Sequence, residues 1–183
     1  MSETEEGKLP RSAWLQSVFS RLQRPLLTYA SRLLGGDWER AQDCVQECFM
    51  RLCREPRERV ASHVDAWLFK TCRNIAMDVH RKEGRMANET YEVAISITDS
   101  GEQMPGDKMI DQEERQQLAR CIAELPSIER EAVLLRLGQG LSYKQISDVM
   151  ELSVSHVGVL LHQALTRLRG ALNPGNAVTG GGD

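Results

Sequence analysis

The stretch LSYKQISDVMELSVSHVGVLLHQALTRLR, residues 141–169, constrains the fold of this chain more than any other, because it reads as two helices joined by a three-residue turn. Ser142 stands at an N-cap position with Gln145 three residues on, so the pair can satisfy two orphan amide donors as a capping box. Ile146, Val149 and Met150 give the first helix one apolar face. Glu151, Leu152 and Ser153 form the turn, and Ser153 caps a second helix in which Val157, Leu161, Ala164 and Leu168 recur at helical spacing. That stripe has to be buried.

At 100° per residue, the face opposite the stripe carries Ser155, Val159, His162, Gln163 and Thr166. Two readings stay open on these residues alone. In a DNA-binding helix-turn-helix this face enters the major groove, whereas a helical hairpin packed inside an all-α protein has the same pattern.

The rest of the chain agrees with an all-α fold. Three Phe, three Tyr and three Trp in 183 residues argue against a sheet-rich protein, and 41% apolar with 27% charged residues is an ordinary globular composition. No run approaches the roughly 18 apolar residues that span a bilayer, and the acidic start MSETEEGK is unlike a signal peptide, so a cytoplasmic location without membrane insertion is expected. The net charge of −3 is unevenly spread. Residues 8–85 hold 15 basic and 9 acidic side chains, residues 86–115 hold 2 and 8, and residues 116–183 hold 6 of each. An acidic spacer thus separates a basic half from a neutral one, which matters for a polyanionic partner.

Taken in order, residues 12–34 read as helix with a break near Pro25, which lacks the backbone donor. Asp37 can cap a helix over 38–54 with Ala41, Cys44, Val45, Cys48, Phe49 and Leu52 on its inner face. Its outer face carries Asp43, Gln46, Glu47, Met50 and Arg51, where the Met among charges hints at a partner and a solvated face is the plainer reading. Residues 55–65 read as a loop or a frayed helical turn. A helix over 66–85 follows, with Leu68, Cys72, Ile75 and Val79 as its buried stripe. Lys70, Arg73, Asn74, Met77 and Arg81 lie on the far side, and with Lys82 and Arg85 they make a cationic face suited to nucleic acid or simply to solvent. Residues 86–111 are a Gly, Ser, Pro and acid-rich linker. Helix resumes over 115–125, Pro126 interrupts it, and a helix over 127–137 buries Ile128, Ala132 and Leu135. The tail 173–183 is too small and polar to fold.

Several function classes fall away. There is no P-loop, dinucleotide fingerprint, HExxH or nucleophile elbow, so an enzyme is not expected. Cys44, Cys48, Cys53, Cys72 and Cys121 are odd in number and lack CxxC or zinc spacing, and His63, His80, His156 and His162 form no ligand set. Small core residues are the favoured reading of the cysteines, with a metal or redox site as the lesser alternative, and no metal ligand or cofactor is assigned.

The order of these features resembles the bacterial RNA polymerase sigma-70 family, in its extracytoplasmic function (ECF) class, over about residues 18–172. AQDCVQECFMRL at 41–52 is similar to the family's core-polymerase-binding helix. AWLFKTCRNIAMDVHRK at 66–82 resembles the helix that opens and reads the minus-ten element. Leu125 and Pro126 with SYKQISDVMELSVSHV resemble the domain that binds the minus-thirty-five element. The resemblance implies region 2 over 12–85, a flexible linker over 86–111, region 4 over 112–172 and a disordered tail over 173–183. It implies that Asp43, Gln46, Glu47, Phe49 and Met50 meet the clamp helices of the large polymerase subunit, and that Lys70, Arg73, Asn74, Arg81 and Lys82 meet minus-ten DNA. The loop at 58–65 would then hold an extruded base. Trp67 suits stacking on a base or a place in the core, with the core favoured. On the helix-turn-helix, the DNA-facing residues are Ser142, Tyr143, Lys144, Ser153, Ser155, His156, Val159, His162, Gln163, Thr166 and Arg167. Val159 suits a thymine methyl and Gln163 suits adenine. Core polymerase (clamp and flap), promoter DNA and an anti-sigma factor are the implied partners.

The chain departs from the family's pattern at Gln145, Ser147 and Glu151, the last standing where the turn usually has glycine. Gly158, Leu160 and Gln163 stand where the second helix usually carries basic residues, which predicts weak binding by this domain alone. Two alternatives remain: a stand-alone helix-turn-helix regulator, and a sigma-like scaffold that no longer binds DNA.

Overall fold

The computed structural model describes residues 10–82 and 112–172, apart from the side chains of Gln112 and Arg115. The expected linker, the tail and the end of the 66–85 helix beyond Lys82 lie outside the described residues. Within them the chain is helical: α1 Arg11–Leu33, α2 Trp38–Arg54, α3 Arg57–Val60, a 3₁₀ turn Ala61–His63, α4 Val64–Lys82, α5 Gln112–Ala123, α6 Ser127–Val133 with a π-helical turn Leu134–Gly138, α7 Tyr143–Met150 and α8 Val154–Leu172. An all-α fold of two small helical domains is what the sequence pattern predicts.

The N-terminal domain is built on α1, α2 and α4, each of which packs on the other two. Trp14, Val18, Leu22, Leu26 and Tyr29 of α1 form one wall of its core. Against them pack Ala41, Cys44, Val45, Cys48 and Leu52 of α2 and Leu68, Phe69, Cys72 and Ala76 of α4. Asp37 caps α2 by accepting a hydrogen bond from the Arg40 amide at 3.1 Å. Contrary to expectation, Pro25 lies inside an unbroken α1. The missing hydrogen bond is offset by burial of Leu22, Leu26 and Tyr29 on either side of it, so packing holds a turn that local preference would interrupt.

In the C-terminal domain α8 is the central element, touching α5, α6 and α7. Its buried residues are Val157, Leu160, Leu161, Ala164 and Leu168, the expected stripe widened by Leu160. The capping box is present in full: Ser142 Oγ accepts from the Gln145 amide at 3.2 Å, and Gln145 Oε1 accepts from the Ser142 amide at 2.9 Å. Ser153 Oγ accepts from the His156 amide at 3.1 Å and starts α8. Between them Glu151 takes the left-handed conformation, φ 57°.

Three expectations in these helices are corrected. Ile128 is 39% exposed rather than buried, and the inward positions of α6 fall on Glu129, Glu131, Ala132 and Val133. Met77, placed by periodicity on the outer face of α4, is buried, while Ile75 and Val79 are half-buried. The Met77 shift accompanies the cover of α4 on two sides, by α1 and α2 and by α7 of the other domain; on α6 the inward side instead carries Glu129 and Glu131, paired with Arg167 and Arg73. A single-stripe reading cannot anticipate a second packing face. Residues 55–65 take the helical of the two forms expected of them, as α3 and the 3₁₀ turn, with Val60 and Val64 buried.

Candidate functional site

The outer face of α2 is set by its inner one. With Cys44, Val45, Cys48 and Leu52 turned inward, Asp43 and Gln46 are exposed and Glu47 is half-exposed, its carboxylate 2.7 Å from Arg51 Nε one turn on. Phe49 is half-buried, its ring 4.9 Å from that of Phe19, which is itself exposed. Met50 is exposed. The five residues expected to meet polymerase therefore lie on the outward side of α2, with Met50 among the polar groups and Phe49 at the edge against Phe19.

The basic residues of α4 divide into two groups. Near its C-terminus Arg81 and Lys82 are exposed, with Arg81 Nη1 2.6 Å from Asp78 Oδ1, and Asn74 is exposed one turn earlier than Asp78. Cations in a last helical turn also favour the helix dipole. Lys70 and Arg73 instead face the C-terminal domain. Arg73 Nε donates to Glu131 Oε1 at 2.9 Å, and the same oxygen accepts from the Tyr29 hydroxyl at 2.6 Å. Lys70 Nζ lies 3.1 Å from Glu151 Oε1 in the turn of the helix-turn-helix. The second pair is open to water and is worth about 0.5 kcal/mol. The first is enclosed, with the Glu131 side chain 5% exposed. Burial, followed by the neighbouring Glu131 charge, pushes the Tyr29 hydroxyl well above the usual range for tyrosine. Trp67 is half-buried against the core.

On the helix-turn-helix, Ser155, His156, Val159, His162, Gln163 and Thr166 are all exposed along one side of α8. Thr166 donates its hydroxyl to the His162 carbonyl at 2.9 Å. Tyr143 and Lys144 are exposed at the start of α7, with the Arg136 guanidinium 5.5 Å from the Tyr143 ring centre. Ser142 and Ser153 spend an acceptor pair on capping and keep a hydroxyl proton to donate. Arg167 Nε is 3.2 Å from Glu129 Oε2, so this arginine also braces α8 on α6. Of the departures from a basic second helix, Leu160 is core and Gly158 is half-buried, where an added Cβ would meet Tyr143 Cε2 at 3.9 Å. Gln163 is the one that falls on the open face.

Sequence reasoning missed Glu129 and Glu131. Acidic residues on a short helix read as solvated, and their burial is visible only once Arg167, Arg73 and Tyr29 arrive from elsewhere in the chain. It also missed that Cys72 joins Cys44 and Cys48, all three buried and with their sulfurs within 4.8 Å of one another.

Known proteins share this architecture. Residues 18–86 match the Sigma-70 region 2 family and residues 115–168 match Sigma-70, region 4. The ECF RNA polymerase sigma factor SigM of Bacillus subtilis is 30% identical over 135 residues, 74% of this chain and 81% of SigM. The ECF RNA polymerase sigma-E factor of Escherichia coli K12 is 29% identical over 163 residues, 84% of each chain. The fold is similar to that of the sigma factor RpoE of Bartonella quintana, solved in complex with the anti-sigma factor NepR, with TM-score 0.60, 22% identity and coverage of 90% of this chain and 99% of that one. No described helix is long and apolar enough to cross a membrane. With regions 2 and 4 both present and in order, the chain belongs to the sigma-70 family as an ECF sigma factor, a subunit that binds core RNA polymerase and directs promoter-specific initiation.

Proposed function

We propose that the division of labour runs as follows, in the cytoplasm and without a catalytic group. Asp43, Gln46, Glu47, Phe49 and Met50 dock the clamp helices of the large polymerase subunit. Lys70, Arg73, Asn74, Arg81 and Lys82 hold the minus-ten strand as it separates. The face of α8 from Ser155 to Thr166, with Ser142, Tyr143, Lys144, Ser153, His156 and Arg167 at its edges, reads the upstream element. Residues 12–85 and 112–172 are the two working domains, 86–111 is the tether and 173–183 the tail. Two weak readers on one polymerase gain specificity through effective concentration.

The observation that most supports this reading is the pairing of Lys70 and Arg73 with Glu151 and Glu131. Carboxylates of one domain occupy two cations suited to phosphate, so the Lys70 and Arg73 end of the minus-ten surface is free for DNA only after the domains part, while Asn74, Arg81 and Lys82 stay exposed throughout. Free protein then binds promoter duplex weakly, and polymerase supplies the energy of opening. An anti-sigma protein that holds the two domains together would act on the same equilibrium.

Run-off transcription with core polymerase tests the reading. The double substitution Asp43→Lys, Glu47→Lys should lower promoter-specific transcript at least tenfold while leaving the helical circular dichroism unchanged. Undiminished transcript would remove α2 from the polymerase interface. Tight, specific binding of a promoter duplex by the free chain would favour the stand-alone regulator instead. Absence of transcript with the unaltered chain would favour the scaffold.

A further inference from the structure

The core of the N-terminal domain contains three thiols that none of the polymerase or promoter surfaces uses. Cys44 and Cys48 lie one turn apart on the inner side of α2, Cys72 lies on α4 where the two helices pack, and all are at most 3% exposed. Their sulfurs sit within 4.8 Å of one another, with Cys44 Sγ 3.7 Å from Cys72 Sγ. Cys44 Sγ is also 3.5 Å from the Cys72 carbonyl oxygen, which fixes its rotamer toward α4. Three sulfurs, each about 2.3 Å from one ion in a plane, stand about 4.0 Å apart. The observed triangle needs only small side-chain adjustments to match that figure.

We propose that Cys44, Cys48 and Cys72 form a buried three-coordinate site for a soft, thiophilic ion, either Cu(I) or trivalent arsenic. Among the described residues the group comprises these three ligands and no other. A structural zinc site takes four protein ligands, and among the described residues only these three stand together. Ligand softness selects thiophilic ions over magnesium or calcium. The protons balance without redox change. Cu(I) displaces thiol protons to solvent, whereas arsenious acid and three thiols give a neutral trithiolate and three waters.

The site is independent of the promoter-reading assignments and is tested on the reduced full-length chain carrying Cys53→Ser and Cys121→Ser, which removes the two thiols outside the cluster. Anaerobic titration with Cu(I) buffered by bathocuproine disulfonate, and separately with arsenite, should give one equivalent bound. Thiolate charge-transfer absorption should appear and the melting temperature should rise. X-ray absorption at the bound ion should count three sulfurs. Cu(I) uptake alone identifies the monovalent ion, arsenite uptake alone the trivalent one. Cys72→Ser and Cys48→Ser should each weaken uptake at least tenfold. Uptake of neither ion, or undiminished uptake by both variants, overturns the proposal. If a variant loses its helical spectrum, the sulfur count on the unsubstituted cluster decides, and two sulfurs or mixed ligands refute the site.

Discussion

The two surfaces suited to DNA differ in how they are held. On α4, Lys70 and Arg73 carry charge but face carboxylates of the other domain. On α8, Ser155, Val159, His162 and Gln163 lie open, yet none is a lysine or arginine. One surface is charged and partly covered, with Arg81 and Lys82 still exposed; the other is uncovered, its cations confined to Lys144 and Arg167 at the edges. Phosphate contacts supply much of the affinity for a duplex and base contacts supply its selectivity. The closed molecule therefore withholds affinity in one domain and has little of it in the other, which is appropriate for a protein that acts only when carried by polymerase.

The strongest way to break this contrast is to remove the cover. Glu131→Ala leaves Arg73 and the Tyr29 hydroxyl facing an enclosed space without their shared acceptor. Loss of one partner from a buried ion pair should cost about 3 kcal/mol. Urea unfolding followed by circular dichroism should show that loss as an earlier transition of the domain contact. Single-stranded minus-ten DNA should bind the variant more tightly than the parent. Unchanged DNA affinity would mean that α4 is not restrained by Glu131.

A smaller effect is expected at Tyr29. Its hydroxyl donates to a charged oxygen, so Tyr29→Phe should cost about 1.5 kcal/mol. The sign of the pH dependence follows from the upward shift. A phenol with a raised pKa in the folded state holds its proton after the unfolded chain has released it, so the folded state is favoured less as pH climbs. Stability should be flat below about pH 10 and fall above it, and the Phe variant should lose this tyrosine's share of the alkaline decline. Thermal melts of both proteins between neutral and strongly alkaline pH measure the difference.

The smallest change sharpens the other side of the contrast. Gln163→Arg places a cation on the open face of α8. The plot of log affinity against log salt for promoter duplex should steepen by about one unit, read by fluorescence anisotropy across a salt series. An unaltered slope would put residue 163 outside the groove.

Legibility in the sequence followed the range of the interactions. The helix-turn-helix was readable because Ser142, Gln145 and Ser153 act within three residues of themselves, and the stripe of α8 because helical periodicity is local. Asp37 was readable as a cap for the same reason. Pro25 was misread because its local penalty is offset by partners from α2 and α4. Met77 was misplaced because the docking of one domain on the other gives α4 a second buried side that no single periodicity encodes, and Ile128 because Glu129 and Glu131 turn inward to Arg167 and Arg73. The thiol cluster joins positions 28 residues apart, and Arg73 meets Glu131 across 58. Both meetings depend on tertiary packing. The family resemblance brought the polymerase and promoter roles within reach of the sequence, but not the engagement of the two domains.

The bend at Glu151 carries two duties in one side chain. Its backbone occupies a region in which a Cβ is disfavoured by about 1 kcal/mol, while its carboxylate spans to Lys70 on the far domain. Glycine, which suits that geometry, would ease the corner and sever the tether together. Selection at this one codon is therefore pulled between a comfortable hinge and a fastened clasp.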